Sequence, residues 1–208
     1  VSKDWEFGIS IDPGFVNPMA ITLWATDYDG TVYCIDEHYE SGKVISEHIN
    51  GIREWYNKYP ITVEYIDPSA RAKTREKNGQ LWSVLDEFMD AGINPIPANN
   101  DVLAGINRVN EYFKAGRIKI FKNCVNLIRE IPEYQWQRLK PAQLGQVNEP
   151  EKPKKLNDHA VDSMRYYIMS RPDVPIIPEV KKTQVDIRPL YQEGEDMTEE
   201  DQEVYADL

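Results

Sequence analysis

Apolar residues recur with a period of two over residues 5–12, where Trp5, Phe7, Ile9 and Ile11 alternate with Glu6, Gly8, Ser10 and Asp12. That spacing puts the apolar side chains on one face of a strand. Residues 19–25 form a second apolar run, Asp27-Tyr28-Asp29-Gly30 is a turn signal, and residues 31–35 complete an antiparallel meander. The period then changes. Val44, Ile45, His48, Ile49, Ile52, Trp55, Tyr56 and Tyr59 share one helical face, and Pro60 ends the helix. Residues 61–66 read as a fourth strand. Leu81, Trp82, Leu85, Phe88 and Met89 mark a second helix closed by Gly92. Residues 93–96 make a short fifth strand, whose Pro95 signals a strand end or a sheet edge. Val102, Leu103, Ile106, Val109, Tyr112 and Phe113 mark a third helix closed by Gly116. Residues 117–121 read as an extended segment returning over the sheet edge, and 124–131 as a short helix.

The rhythm breaks at residues 132–156, rich in Pro, Gln, Lys and aromatic residues. A long excursion of this kind, with a hairpin as one shape open to it, is usually functional or disordered. A last helix covers about 157–170. Beyond Arg171 come four prolines and many acidic residues, the composition of a tail. The order β-β-β-α-β-α-β-α with a late helix predicts an α/β fold of the ribonuclease H-like layout. Three antiparallel strands extend a sheet finished by parallel strands, with helices on both faces. In that layout the first and fourth strands are neighbours. The expected domains are 1–171, with 172–208 as the acidic tail.

Composition narrows the class. At 208 residues, 41% hydrophobic and 11% aromatic, the chain suits one compact domain. No apolar run approaches the ~18 residues of a membrane span, and the start lacks a secretory signal, so no membrane partner is expected. The missing initiator Met points to a piece of something longer. Cys34 and Cys124 lie in apolar contexts without CxxC spacing, which fits two buried thiols in a reducing compartment rather than a disulfide framework or a zinc site. The net charge of -11 argues against nucleic acid until it is divided. Residues 173–208 carry -8 of it, whereas residues 101–155 hold eleven Lys/Arg against six Asp/Glu. Residues 71–77 add Arg71, Lys73, Arg75 and Lys77. Each cluster alone reads as a solvated basic face; two beside an acidic cluster are what a phosphate-backbone enzyme needs.

Three aspartates carry the chemistry. Asp12 and Asp67 each end a strand and are each followed by a proline, and Asp162 lies in the last helix. Either Asp-Pro alone is an ordinary turn. Two buried strand ends that both finish in a carboxylate are costly unless a cation compensates. Asp158, His159 and Asp162 fall on or near one helical face. Asn157 or Asp158 is well placed to cap that helix, which leaves Asp162, one turn deeper, unexplained by capping. His159 reads as an accessory group, a proton shuttle or a core histidine, and Arg165 as a partner that steadies a carboxylate. His48 on its apolar face and His38 at a strand end have structural readings.

Gly8-Ile9-Ser10-Ile11-Asp12-Pro13-Gly14, Asn17-Pro18-Met19-Ala20, Tyr65-Ile66-Asp67-Pro68-Ser69-Ala70 and Asn157-Asp158-His159-Ala160-Val161-Asp162-Ser163-Met164-Arg165-Tyr166 together resemble the nuclease domain of the large terminase subunit of tailed bacteriophages. The resemblance covers about residues 5–170. It implies a metal-dependent endonuclease that cuts concatemeric double-stranded DNA during genome packaging, in the cytoplasm of an infected bacterium. Asp12, Asp67 and Asp162 would be metal ligands for two Mg²⁺ or Mn²⁺ ions ~3.5–4 Å apart, with Asp158 and His159 accessory. It further implies an N-terminal packaging ATPase domain, a portal and a small terminase subunit as partners. The chain has no G-x-x-x-x-G-K-[ST] element, so the motor itself is not expected here.

Three other readings compete. A Holliday-junction resolvase or a ribonuclease H would use the same fold and chemistry on another substrate. An actin-like ATPase would share Ile11-Asp12-Pro13-Gly14 but needs a second phosphate loop, which is missing. A non-catalytic docking module would have no reason to keep three converging carboxylates charged.

Overall fold

The computed structural model describes residues 1–77, 79–137 and 152–172. The middle of the predicted excursion, the acidic tail from residue 173 and the side chains of Arg75 and Lys77 lie outside the described residues. Among the described residues eight strands are present: β1 (Glu6–Asp12), β2 (Met19–Thr26), β3 (Val32–Glu40), β4 (Ile61–Ile66), β5 (Arg75–Lys77), β6 (Gln80–Trp82), β7 (Ile96–Pro97) and β8 (Ile118–Ile120). The helices are α1 (Ile45–Lys58), α2 (Val84–Asp90), α3 (Val102–Lys114), α4 (Val125–Glu133) and α5 (His159–Ser170). Six strands form one sheet in the order β7-β4-β1-β2-β3-β8. The meander β1-β2-β3 is antiparallel, and β4, β7 and β8 join in parallel. This is the expected mixed, ribonuclease H-like sheet.

Alternation along β1 sorts the two faces. Phe7, Ile9 and Ile11 pack with Ile49, Ile52 and Trp55 of α1 and Phe88 of α2. On the opposite face Trp24, Tyr65 and Cys34 pack with Val109 of α3, Leu127 of α4 and Tyr167 of α5. Both cysteines are buried free thiols, and Cys124 Sγ donates to the Cys34 carbonyl at 3.6 Å. Among the described residues no helix is long and apolar enough to cross a membrane.

Four local expectations are corrected. Leu81 and Trp82 belong to a small hairpin, β5-β6, not to a helix. The helix starts one turn later because Ser83 caps it: the Ser83 hydroxyl accepts from Asp86 N, and the Asp86 carboxylate accepts from Ser83 N. The third strand runs on to Glu40, well past residue 35, pairing with Met19–Leu23. Its polar second half stays in the sheet because neighbours satisfy it: Asp36 accepts from Trp55 Nε1, and Glu37 accepts from the backbone of Asn126 and Leu127. The segment at 117–121 does not cross the edge; it is the edge, as β8 beside β3. The last helix runs His159–Ser170 with Asp158 at its N-cap position, as the sequence suggests. The predicted fifth strand is shorter and later, β7 at Ile96–Pro97 rather than 93–96, and it sits at the opposite sheet edge. The two ends of the excursion meet in a single antiparallel bridge, Trp136 with Pro153.

Candidate active site

Asp12 and Asp67 emerge side by side at the carboxyl ends of neighbouring parallel strands. The register pairs Ile11 with Ile66, and Asp67 N continues the ladder by donating to the Ile11 carbonyl at 3.1 Å. On the β1 face opposite Phe7, Ile9 and Ile11 stand Gly8, Ser10 and Asp12, and α5 crosses there. The approach is close: a Cβ on Gly8 would stand 2.4 Å from Val63 Cγ2 and 2.9 Å from the Tyr167 ring. A buried hydroxyl cluster fixes the crossing. Ser163 Oγ donates to the Ser10 carbonyl at 2.8 Å and lies 2.8 Å from Thr22 Oγ1, which also receives Trp24 Nε1. Ser163 neighbours Asp162, and Ser10 lies two residues before Asp12. The cluster therefore sets the spacing of the helix-borne carboxylate against the strand-borne one.

The start of α5 is capped from elsewhere. Asp158 holds the N-cap position, yet its side chain makes no capping bond. Glu130 of α4, fully buried, accepts from Ala160 N at 2.7 Å and Val161 N at 3.1 Å, and from Tyr39 Oη at 2.6 Å. Burial pushes the Glu130 carboxyl up in pKa, against these bonds, which favour the anion. A carboxylate at a helix N-terminus meets both the orphan N–H groups and the positive end of the dipole. Because Glu130 does this work, the Asp158 carboxylate is free to face the pocket. Asn157 turns the chain into the helix at φ 49°, a conformation asparagine tolerates better than most residues.

Asp12, Asp67, Asp158, His159 and Asp162 line one cavity of about 530 Å³, with Lys155, Arg165 and Tyr166. All five predicted site residues thus come together. Their charges are felt: burial pushes the Asp12 carboxyl up to about 6, and the nearby carboxylates of Asp162 and Asp67 add to the rise. His159 opposes it, its Nδ1 lying 2.9 Å from Asp12 Oδ2. That bond in turn raises the His159 pKa, against burial. Asp67 accepts from Ser69 N at 2.7 Å and from the Tyr166 hydroxyl. The Tyr166 phenol is pushed up by burial and by Asp12 and Asp162, so it stays protonated and donates. Asp162 is held from two sides. Arg165 donates Nε and Nη2 to Oδ1 at 3.2 and 3.1 Å, and Lys155 Nζ reaches Oδ2 at 2.7 Å.

Arg165 steadies a carboxylate as its spacing predicts. Lys155 departs from its basic-patch reading: it sits in the cavity, and Asp162 and Asp158 hold its ammonium above the usual pKa although burial acts to lower it. Glu130 and Tyr166 carry no signal of their own in the sequence, beyond their places on the buried faces of α4 and α5. Among the described residues no group of three or more His, Cys, Asp or Glu side chains is closed into metal-binding geometry. Asp12, Asp67 and Asp162 each have an oxygen engaged by His159, Tyr166, Arg165 or Lys155. The donor set is nonetheless that of a hard divalent cation, all carboxylate oxygen. One oxygen, Asp158 Oδ2, is sealed from solvent and accepts no hydrogen bond.

The family described as Terminase RNaseH-like domain matches residues 9–171. The chain is 28% identical over 169 residues to the terminase large subunit of Escherichia phage T5, covering 80% of this chain and 35% of that protein. It therefore spans about a third of that curated relative's length. The large terminase of the thermophilic bacteriophage D6E superposes with a TM-score of 0.65 at 26% identity, over 81% of this chain and 40% of that one. The nuclease domain of the P22 large terminase gives 0.62 at 21% identity, over 81% and 83% of the two chains. The large terminase nuclease of thermophilic phage G20c, solved with bound zinc, gives 0.51 at 14% identity, over 82% and 84%. The last two likenesses are of fold.

Proposed function

The chain belongs to the terminase RNaseH-like domain family, and from that premise we propose that it is a metal-dependent endonuclease that cleaves double-stranded viral DNA during genome packaging. The full-length protein would carry the packaging ATPase on the same chain and work with a portal and a small terminase subunit in the host cytoplasm. The observation that carries the reading is the meeting of Asp12, Asp67 and Asp162, from two strands and one helix, on one cavity wall. Burial raises the Asp12 carboxyl to about 6 and the carboxylates of Asp162 and Asp67 add to the rise, so a cation beside them would favour the charged form.

Asp12, Asp67 and Asp162 would hold Mg²⁺ or Mn²⁺ (two ions), with Asp158 beside them. A divalent cation supplies a water of lowered pKa and neutralises charge on the phosphate oxygens. The chain's own residues prepare that task. His159 orients Asp12 through its Nδ1 contact, and Tyr166 fixes one oxygen of Asp67. Arg165 fixes Asp162 Oδ1 and leaves Oδ2 toward Lys155. The exposed Lys152 and Lys154 line a second cavity that shares Lys155 and Val102 with the carboxylate cavity, and they suit contacts to the DNA backbone, which position without reading sequence.

The test is nicking of supercoiled plasmid in Mn²⁺, Mg²⁺ and EDTA by wild type and by Asp12→Asn. Wild type should cut in either metal and not in EDTA. The variant should lose at least about 100-fold in rate with an unchanged circular dichroism spectrum. Equal cutting by both proteins would remove Asp12 from the active site.

A further inference from the structure

Lys155 stands where the cavity wants a cation. Its Nζ is 2.7 Å from Asp162 Oδ2 and 3.1 Å from Asp158 Oδ2. The lysine side chain is 65% exposed, whereas those of Asp158 and Asp162 are 7% and 6% exposed. Asp158 Oδ2 is sealed from solvent, and the Lys155 ammonium 3.1 Å away compensates its charge. Two carboxylates withdrawn from water side by side are stable only with a counter-charge. Arg165 supplies part of it on Asp162 Oδ1, but that side chain is 2% exposed and packed against Gly105 of α3, so it cannot leave. Lys155 is different. It caps the pair from the solvent side and can swing out by side-chain rotation, without backbone movement.

We propose, resting on the divalent-cation reading above, that Lys155 is a displaceable internal cation. Its ammonium and a divalent ion compete for the same oxygens of Asp162 and Asp158. With no metal present the lysine keeps the carboxylates in place; an arriving metal must evict it. A ligand-binding equilibrium of this kind makes metal affinity lower than the carboxylates alone would give, and keeps the site ordered while it waits. The rival role, a permanent structural ion pair that metal leaves untouched, makes the opposite forecast.

The experiment is calorimetric titration of Mn²⁺ into wild type, Lys155→Met, Lys155→Arg and Asp162→Asn, with melting curves in EDTA and in saturating Mn²⁺. Lys155→Met should bind Mn²⁺ roughly tenfold tighter, within the usual range of coupling between sites. Lys155→Arg keeps the charge and should bind no tighter than wild type. In EDTA the methionine variant should melt below wild type, and Mn²⁺ should abolish the difference. Lys155→Gln serves as a second variant should methionine fail to give a cooperative melt. Mn²⁺ affinity unchanged or weakened in the uncharged variants, with binding still lost in Asp162→Asn, overturns the displacement role and leaves the cation reading standing. No Mn²⁺ binding by wild type overturns both.

Discussion

At the residue scale, the His38–His48 pair is an acid-sensitive contact outside the cavity. His38 Nε2 and His48 Nδ1 lie 2.8 Å apart, joining β3 to α1, and the ring of His38 fills the space left by Gly51. Burial lowers the pKa of both, so the folded form keeps them neutral where the unfolded chain would take up protons. The stabilisation is present above the ordinary histidine value of about 6.5 and is lost as pH falls through the lowered folded values. Urea unfolding of wild type and of His48→Gln, followed from about pH 7.5 to 5.5, checks this. Wild type should lose more stability over that interval than the variant does. Equal slopes would mean that the pair is not what responds to acid. Asp12 acts in the opposite sense, since its raised pKa of about 6 stabilises the fold below that pH, which is why the comparison with the variant matters.

At the scale of elements, two junctions hold α5 over the sheet. One is the borrowed cap. Glu130→Gln keeps one acceptor but removes the charge at the helix N-terminus; it should cost about 1–2 kcal/mol in denaturant unfolding. Because Asp158 would then be the nearest replacement cap, the same variant should also weaken Mn²⁺ binding. Unchanged stability would show that the α4–α5 contact does not depend on that carboxylate. The other junction is the close crossing at Gly8. Gly8→Ala places a methyl group against Val63 and Tyr167 and should destabilise by about 1–3 kcal/mol, as overpacking does. A neutral result would mean that α5 can lift away, and the spacing of Asp12 and Asp162 would then be softer than the hydroxyl cluster implies.

For the whole molecule, charge is the governing quantity. A net of -11 should repel DNA, so on the proposed function affinity would come from local basic surface. Without metal Lys155 and Arg165 pair with Asp162, so on the proposed function the backbone contacts would fall to exposed residues such as Lys152, Lys154, Arg71 and Lys73. Binding of a fluorescent duplex in EDTA should fall steeply with salt. Charge reversal at Lys152 and Lys154 together should flatten that dependence while leaving Mn²⁺ affinity as it is. A salt slope identical to wild type would place the DNA on another face.

The periodic hydrophobic pattern by itself determined most strands of the main sheet, their chain order and the two-sided core, but not the β5-β6 hairpin or the polar second half of β3. Phe7, Ile9 and Ile11 can be buried on one face only in a strand, and α1's stripe only in a helix. It also located the carboxylates, because Asp12 ends a buried run and Asp67 follows the buried Tyr65 and Ile66. Local spacing was enough for Arg165 on Asp162, a contact within one helical turn. What crosses between distant segments was decided by the tertiary structure. Glu130 caps a helix that starts 29 residues later, and Lys155 folds back onto Asp162, because an orphan N–H or a buried carboxylate takes whichever partner packing brings near. Asp158 shows the difference most clearly: its sequence position is that of a cap, but the fold supplies another cap and turns its carboxylate toward the pocket.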